Sequence, residues 1–193
     1  MSSAAQVFDT ISDPGVARLL LDGSVGIIPT DTLYGLAARA ADKKAVARLY
    51  EIKGREGKPG TIIAASIDQL IDLGLDAEDL RAAEHLWPNP VSVVVACDPA
   101  AQYLHQGLGT LPVRIPKDAQ LIQLLTQTGP LQTTSANYPG LPSANTVAEA
   151  EAYFGNRIDF YVDGGDRSIH EPSTIARVSD GKLEVLRQGA FRA

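Results

Sequence analysis

The chain of 193 residues is 45% hydrophobic and 21% charged, the composition of a globular protein, and we expect one domain over residues 1–193. Its net charge of −6 argues against a general nucleic-acid binder, because such proteins are normally basic. One cysteine excludes an internal disulfide, the first residues do not resemble a signal peptide, and the longest apolar stretch, 91–97, is too short to span a bilayer. We therefore expect a cytoplasmic protein with no membrane partner.

Short β-rich runs alternate with capped helices along the chain, a pattern that predicts an α/β protein. Asp13-Pro14 begins a helix that Gly23 ends, strand 25–29 follows, and Asp42 caps a second helix. The further elements expected, in chain order, are strand 61–65, a helix from Ser66, helix 76–87, strands 91–97 and 111–115, a helix after Asp118, strand 131–135, a helix behind the capping box at 146–149, and strands 160–162, 174–178 and 183–186, the last two joined by a turn at Asp180-Gly181. Because several strands fall outside a regular strand–helix repeat, we expect a mixed sheet.

Charge is unevenly distributed along the chain. Residues 39–58 hold seven basic and three acidic side chains, a local charge of +4, so the remainder carries −10. A cationic patch on an acidic protein suits a small anion such as a nucleotide, although a solvated helix face would have the same composition.

Several common nucleotide and catalytic motifs are absent. The chain has no GxxxxGK[ST], no GxGxxG after a strand and no GxSxG, which argues against a P-loop, a Rossmann site and a nucleophile elbow. The three histidines stand far apart without neighbouring ligands, so no protein-bound metal site is expected, and Cys97 is interpreted as a small buried hydrophobe. Any nucleotide must be bound by scattered groups.

Polar loops follow several of the predicted strands, where binding residues are commonly found. The stretch 29–36, PTDTLYGL, brings two hydroxyls and a carboxylate to the end of a strand, which could hold an amino acid or form an ordinary turn. The stretch 53–59, KGREGKP, places cations and glycines at a helix end, favourable for polyphosphate and equally for the helix dipole. Hydroxyls and an amide follow the strand at 131 in TTSAN, residues 133–137, and Arg114 within a strand is unusual unless it is paired or at a ligand site.

Seven short motifs occur in one order along the chain: PTDTLYGL, KGRxxKP, WPNP, VRIP, TSAN, PSTI and RQG. With these motifs the chain resembles the YrdC/Sua5 family of threonylcarbamoyl-AMP synthases, and the resemblance extends from about Val25 to Gly189. It is similar to the short, single-domain YrdC form of that family. The one departure is Asn89, where WPxP often carries glycine. The resemblance implies a twisted mixed sheet flanked by helices, with a concave basic cavity.

The resemblance also implies ligands and site residues. The substrates would be ATP with Mg²⁺, L-threonine and bicarbonate, and the product would serve modification of adenosine 37 in tRNA by a separate threonylcarbamoyl transferase complex. The expected site residues are Thr32, Tyr34, Arg114, Thr133 and Ser173 for threonine, Lys53, Arg55, Lys58, Thr110, Ser135, Asn137, Ser143 and Arg187 for ATP, and among these Lys53 and Arg55 for catalysis. Lys53 and Arg55 can serve one ligand only if the helix has ended, because side chains two apart diverge on a helix but share a face in extended chain.

Two other readings belong to the same fold. One is a carbamoyl-adenylate former of the hydrogenase-maturation type, whose large chains carry zinc-binding and acylphosphatase parts that we do not find here. The other is a module that binds RNA or the ribosome, since the resemblance links the fold to duplex RNA and possibly tRNA. The chain keeps the KxR and SAN motifs, which favours the synthase, and we expect any RNA binding to be weak.

Overall fold

A computed structural model describes residues 4–54, 57–179 and 181–192. Strands form one continuous mixed sheet across this part of the chain. They are β1 (Gln6–Phe8), β2 (Gly26–Pro29), β3 (Tyr34–Arg39), β4 (Thr61–Ile63), β5 (Val91–Ala96), β6 (Thr110–Arg114), β7 (Leu131–Ser135), β8 (Phe160–Val162), β9 (Thr174–Ser179) and β10 (Lys182–Arg187). Their order in the sheet is β1-β8-β2-β3-β7-β4-β6-β5-β9-β10.

Helices connect the strands and cover both faces of the sheet. They are α1 (Pro14–Leu21), α2 (Lys43–Lys53), α3 (Ile67–Asp72), α4 (Ala77–Ala83), α5 (Gln102–His105), α6 (Ala119–Thr128) and α7 (Val147–Phe154). Side-chain oxygens cap the starts of six of them, at Asp13, Asp42, Ser66, Asp76, Asp118 and Thr146. These caps satisfy amides that a helix start leaves without partners, so local sequence decides where the helices begin.

The sheet mixes parallel and antiparallel pairs. β8 pairs parallel with β1 and β2, β4 with β6, and β5 with β9, whereas the other neighbours are antiparallel. The α/β class and the mixed sheet predicted from the sequence are therefore confirmed.

Most predicted elements form within one or two residues of the expected bounds, but three elements are new. β3 was expected to belong to a polar loop, yet Tyr34–Arg39 is almost wholly buried and pairs with both β2 and β7. The short β1 and α5 carried too little pattern to be predicted. The helix expected over 76–87 is divided into α4 and a 3₁₀ turn at Glu84–Leu86, and of the predicted turn at 180–181 only Gly181 is described, with φ of 71°.

Two apolar cores lie on opposite faces of the sheet. The larger includes Leu36, Ile62 and Val93 and contains Cys97, as predicted. The smaller packs α1 and α6 against residues such as Leu131 and Ile63. Because side chains alternate along a strand, Thr133 and Ser135 project from the same face as Leu131, beyond the smaller core.

Candidate active site

A cavity of about 510 Å³ opens on the face of the sheet that carries the smaller core. Strand β7 shows how it arises: Leu131 belongs to the core, whereas Thr133 and Ser135, two and four residues further, line the cavity. Eight of the predicted site residues lie in its lining, and they are Thr32, Tyr34, Arg114, Thr133, Ser135, Ser143, Ser173 and Arg187. The structure thus brings together side chains that are up to 155 residues apart in the sequence.

The turn between β2 and β3 forms one wall. The Thr30 hydroxyl donates to the Leu33 carbonyl at 2.7 Å, accepts from the Thr32 amide at 3.2 Å, and lies 3.1 Å from the Thr32 hydroxyl. These bonds, with both threonines nearly buried, fix the Thr32 side chain on the cavity wall. Thr30, which the prediction omitted from the site, is the residue that shapes this turn.

Arg114 stands at the end of β6 and is 4% exposed. Its Nη2 donates to Asp31 Oδ1 at 2.9 Å and to the Thr32 hydroxyl at 3.3 Å, and its Nη1 donates to the Ser92 hydroxyl at 3.2 Å. Arg114 Nε and Asp31 Oδ2 are buried and have no hydrogen-bond partner in the described chain. A buried guanidinium N–H without an acceptor is costly, so Nε is suited to a ligand oxygen.

Ser92 connects the arginine to a second predicted residue. Its hydroxyl, fully buried in β5, donates to the Ser173 hydroxyl at 3.0 Å. Thr32, Arg114 and Ser173 are thereby joined in one hydrogen-bonded network. Sequence reasoning missed Ser92, although a single hydroxyl within the apolar run 91–97 was an available signal.

Thr133 and Tyr34 line the cavity with their polar atoms already engaged. Thr133 donates to the Thr61 carbonyl on the neighbouring β4 at 2.8 Å. The Tyr34 hydroxyl donates to the Gly165 carbonyl at 2.9 Å and accepts from the Gly164 amide at 2.7 Å, and burial raises the pKa of this phenol above its ordinary value. Tyr34 therefore ties β3 to the loop after β8.

Arg187 and the loop before β9 close the opposite side. Arg187 Nη2 donates to the Ser173 carbonyl at 2.7 Å. At Gly189, which belongs to the RQG motif, a Cβ atom would lie 2.2 Å from the Pro172 carbonyl oxygen, so only glycine lets the two segments approach. The PSTI and RQG motifs, at the start of β9 and the end of β10, are thus packed directly against each other.

The other predicted residues that the structure describes are not among the residues lining the cavity. Asn137 accepts a hydrogen bond from the Ser135 hydroxyl at 2.7 Å, and Lys58 is exposed. Thr110 starts β6 on the same strand face as Arg114, about 13 Å away at the usual rise per residue. Arg55 lies outside the described residues. Lys53 is 2% exposed, and in the described chain its ammonium is surrounded by oxygens of Ser135 and Asn137.

Among the described residues, few charged or metal-binding side chains line the cavity. In the described ranges the charged side chains of its lining are Arg114 and Arg187. The same ranges contain no group of three or more His, Cys, Asp or Glu that could hold a metal ion, and no helix long and apolar enough to cross a membrane. A larger groove of about 640 Å³ is lined by exposed charges and by Trp87, Ile115 and Pro116, and no predicted site residue within the described ranges belongs to it.

Comparison with known proteins gives a consistent result. The family model for Sua5, YciO and YrdC proteins, described as "Telomere recombination", matches residues 18–189. A putative threonylcarbamoyl-AMP synthase of Mycobacterium leprae is 34% identical, over 95% of this chain and 89% of that protein. The threonylcarbamoyl-AMP synthase of Bacillus subtilis is 33% identical over 93% of this chain, which spans only 55% of that longer protein.

Solved structures share the fold. Sua5 of Pyrococcus abyssi, crystallised with L-threonine, superposes with a TM-score of 0.82 at 28% identity, covering 97% of this chain and 58% of that one. YciO of Escherichia coli superposes with a TM-score of 0.81 and covers 97% of both chains, but at 22% identity it is evidence for the fold alone. The predicted resemblance is confirmed by these matches.

Proposed function

Because the chain belongs to the Sua5, YciO and YrdC family, we propose that it is a threonylcarbamoyl-AMP synthase, which forms threonylcarbamoyl-AMP and pyrophosphate from L-threonine, bicarbonate and ATP. The observation that carries the proposal is the buried Arg114, whose Nε has no acceptor in the described chain. Its other nitrogens donate to the hydroxyls of Ser92 and Thr32, and Ser92 donates to Ser173. Such a group binds a carboxylate. Two relatives that match at least 93% of this chain are named as a threonylcarbamoyl-AMP synthase and a putative one.

On this proposal the threonine end lies at Arg114. Its guanidinium would bind the α-carboxylate of the substrate, and the hydroxyls of Thr32, Thr133 and Ser173 would surround the amino acid. The side chain of threonine is short and polar, and a network of buried hydroxyls offers it both donors and acceptors. That P. abyssi Sua5 was crystallised with L-threonine supports this assignment.

The nucleotide end lies toward Ser135, Asn137, Ser143 and Arg187, with Thr110, Lys58 and Arg55 as further candidates. Mg²⁺ would arrive with ATP, coordinated by the phosphate oxygens, since Mg²⁺ commonly binds through substrate phosphates and water. We propose no protein ligand for Mg²⁺, because the described part of the cavity lining offers hydroxyls and amides in place of carboxylates.

The reaction has two steps. Bicarbonate takes up one proton and loses water to give CO₂. The neutral amine of threonine then attacks the carbon of CO₂ and releases one proton, forming N-carboxythreonine. The new carboxylate oxygen then attacks the α-phosphorus of ATP in line, the bond to the bridging oxygen breaks, and pyrophosphate leaves. Because a carbamate decomposes in water, a cavity that encloses both ends of the intermediate has an evident use.

The proposal also covers the location of the protein and the use of its product. We expect one domain over residues 1–193 acting in the cytoplasm, with the product passing to a threonylcarbamoyl transferase complex that modifies adenosine 37 of tRNA. A primary role as an RNA-binding module would leave the buried arginine network without a purpose.

The test is a product assay with ATP, bicarbonate and labelled threonine. We expect threonylcarbamoyl-AMP and pyrophosphate in equal amounts, and a fall of about ten- to hundredfold when Arg114→Lys loses the forked contact. The matched control is Arg81→Lys, on the exposed surface of α4 and away from the cavity. Equal activity of the parent and Arg114→Lys would contradict the assignment of the site.

A further inference from the structure

The ammonium group of Lys53 is hydrogen-bonded to oxygens of this chain. It is the last residue of α2, it is 2% exposed, and its Nζ lies 2.6 Å from the Ser135 carbonyl, 2.6 Å from the Asn137 carbonyl and 2.7 Å from Asn137 Oδ1. These three contacts are short, and the Ser135 hydroxyl lies further from Nζ, at 3.5 Å. Lys53 is also not among the described residues that line the cavity.

The end of the helix places the side chain there. Gly54 adopts a left-handed conformation, with φ of 62°, and its amide bonds back to the helix carbonyls, which ends α2 at Lys53. This agrees with the prediction that the helix ends at the KGR motif. The aliphatic part of Lys53 is buried with the helix, while the ammonium reaches the segment that follows β7.

Further hydrogen bonds hold the segment that Lys53 contacts. The Ser135 hydroxyl donates to Asn137 Oδ1 at 2.7 Å, and Asn137 Nδ2 donates to the Leu141 carbonyl at 2.6 Å. Ala136 bonds to the Tyr34 carbonyl and accepts from the Ala144 amide. Lys53 is therefore bonded to the start of the loop 135–145, the loop that carries Ser135, Asn137 and Ser143.

We infer that Lys53 is a positioning residue, which orients Ser135 and Asn137 for the nucleotide through its bonds to their oxygens and does not bind the phosphates directly. The inference rests on the proposed function for the identity of the nucleotide. It replaces the expectation that Lys53 neutralises the triphosphate, because an ammonium that leaves its three acceptors for a phosphate would strand buried oxygens.

Two neutral substitutions of similar size separate the two roles. Lys53→Met removes charge and donors, whereas Lys53→Gln removes charge but keeps an amide that can donate to the loop carbonyls. A positioning role predicts that Lys53→Gln retains at least tenfold more activity than Lys53→Met. A phosphate-binding role predicts that both are equally poor, since both lack the charge, and that result would overturn the inference.

Two further measurements test the inference, one of inhibition by pyrophosphate and one of a double variant. As a probe of phosphate contact, the inhibition constant of inorganic pyrophosphate should stay within about twofold of the parent in Lys53→Gln, which keeps the bonds to the loop. Asn137→Ala added to Lys53→Met should cost less than about twofold more, because both act through one loop. A tenfold weaker inhibition of Lys53→Gln by pyrophosphate, or costs that multiply, would contradict positioning.

A measurement of amide hydrogen exchange tests the inference without the reaction. In the ligand-free protein, amide hydrogen exchange at Ala136 and Ala144 should be at least tenfold faster in Lys53→Met than in the parent, while amides of α6 keep their rates. If the parent makes no threonylcarbamoyl-AMP but this exchange accelerates, the proposed function fails and the positioning role stands. Unchanged exchange in a folded variant would overturn the inference; where Lys53→Met does not fold, Lys53→Gln and Asn137→Ala provide the same comparison.

Discussion

Arg114 and Asp31 form a buried ion pair, with Nη2 of the arginine 2.9 Å from Oδ1 of the aspartate and both side chains less than a tenth exposed. The pair fixes one side of the guanidinium and leaves Nε available. The carboxylate also offsets the cost of burying a cation while no ligand is bound.

Asp31→Asn tests whether this pair orients the arginine. The amide oxygen can still accept from Nη2, but the charge is lost, so we expect the KM for threonine to rise about tenfold while the KM for ATP changes less than twofold. Steady-state kinetics with each substrate varied in turn gives both values. Asp72→Asn, at the exposed end of α3, is the control and should leave both unchanged; equal increases for the two substrates would point to a general loss of structure.

Substrate discrimination follows from the hydroxyl groups around Arg114. A site that bonds the hydroxyl of threonine should reject valine by about 10⁴-fold in kcat/KM, because buried polar partners would be left unpaired. Serine loses only a methyl group and should be disfavoured by about ten- to two-hundredfold. Pyrophosphate release with each amino acid is the measurement, and similar rates with valine and threonine would refute the assignment.

Arg55 lies outside the described residues, and its predicted role rests on the KGR motif alone. If it binds the triphosphate in the transition state, Arg55→Lys keeps the charge but loses the bidentate fork, and a loss of about 2–3 kcal/mol lowers kcat about thirty- to hundredfold. Adenylate formation, with a thermal melt to verify folding, gives the answer. A folded variant with the parent's activity would remove Arg55 from the catalytic residues.

Duplex RNA should bind weakly. With a net charge of −6 the protein has little general attraction for a polyanion, and whatever binding its basic segment supplies should fall steeply with salt. A binding titration at about 50 and 200 mM salt measures both the affinity and its slope. Tight binding that does not change with salt would favour the RNA-binding module as the primary role.

The sequence predicted the helix starts well because each is encoded locally by a capping side chain such as Asp42 or Thr146. It failed at β3, whose polar start at PTDT resembles a loop, because burial of Tyr34–Arg39 is decided by the neighbouring strands β2 and β7. No local pattern contains that information.

At the candidate site, too, the sequence predicted local features and missed contacts between distant segments. Motifs identified the polar residues of the cavity, but they could not reveal that Ser92 links Arg114 to Ser173 or that Lys53 is surrounded by loop oxygens. Both facts depend on segments more than 20 residues apart meeting at hydrogen-bonding distance.

The most direct test of the account follows the carbon of bicarbonate. With labelled bicarbonate, ATP and unlabelled threonine, we predict one label in each adenylate formed and one pyrophosphate released with it, both dependent on threonine and both strongly reduced by Arg114→Lys. An adenylate without label, or pyrophosphate release that does not require bicarbonate, would contradict the proposed reaction.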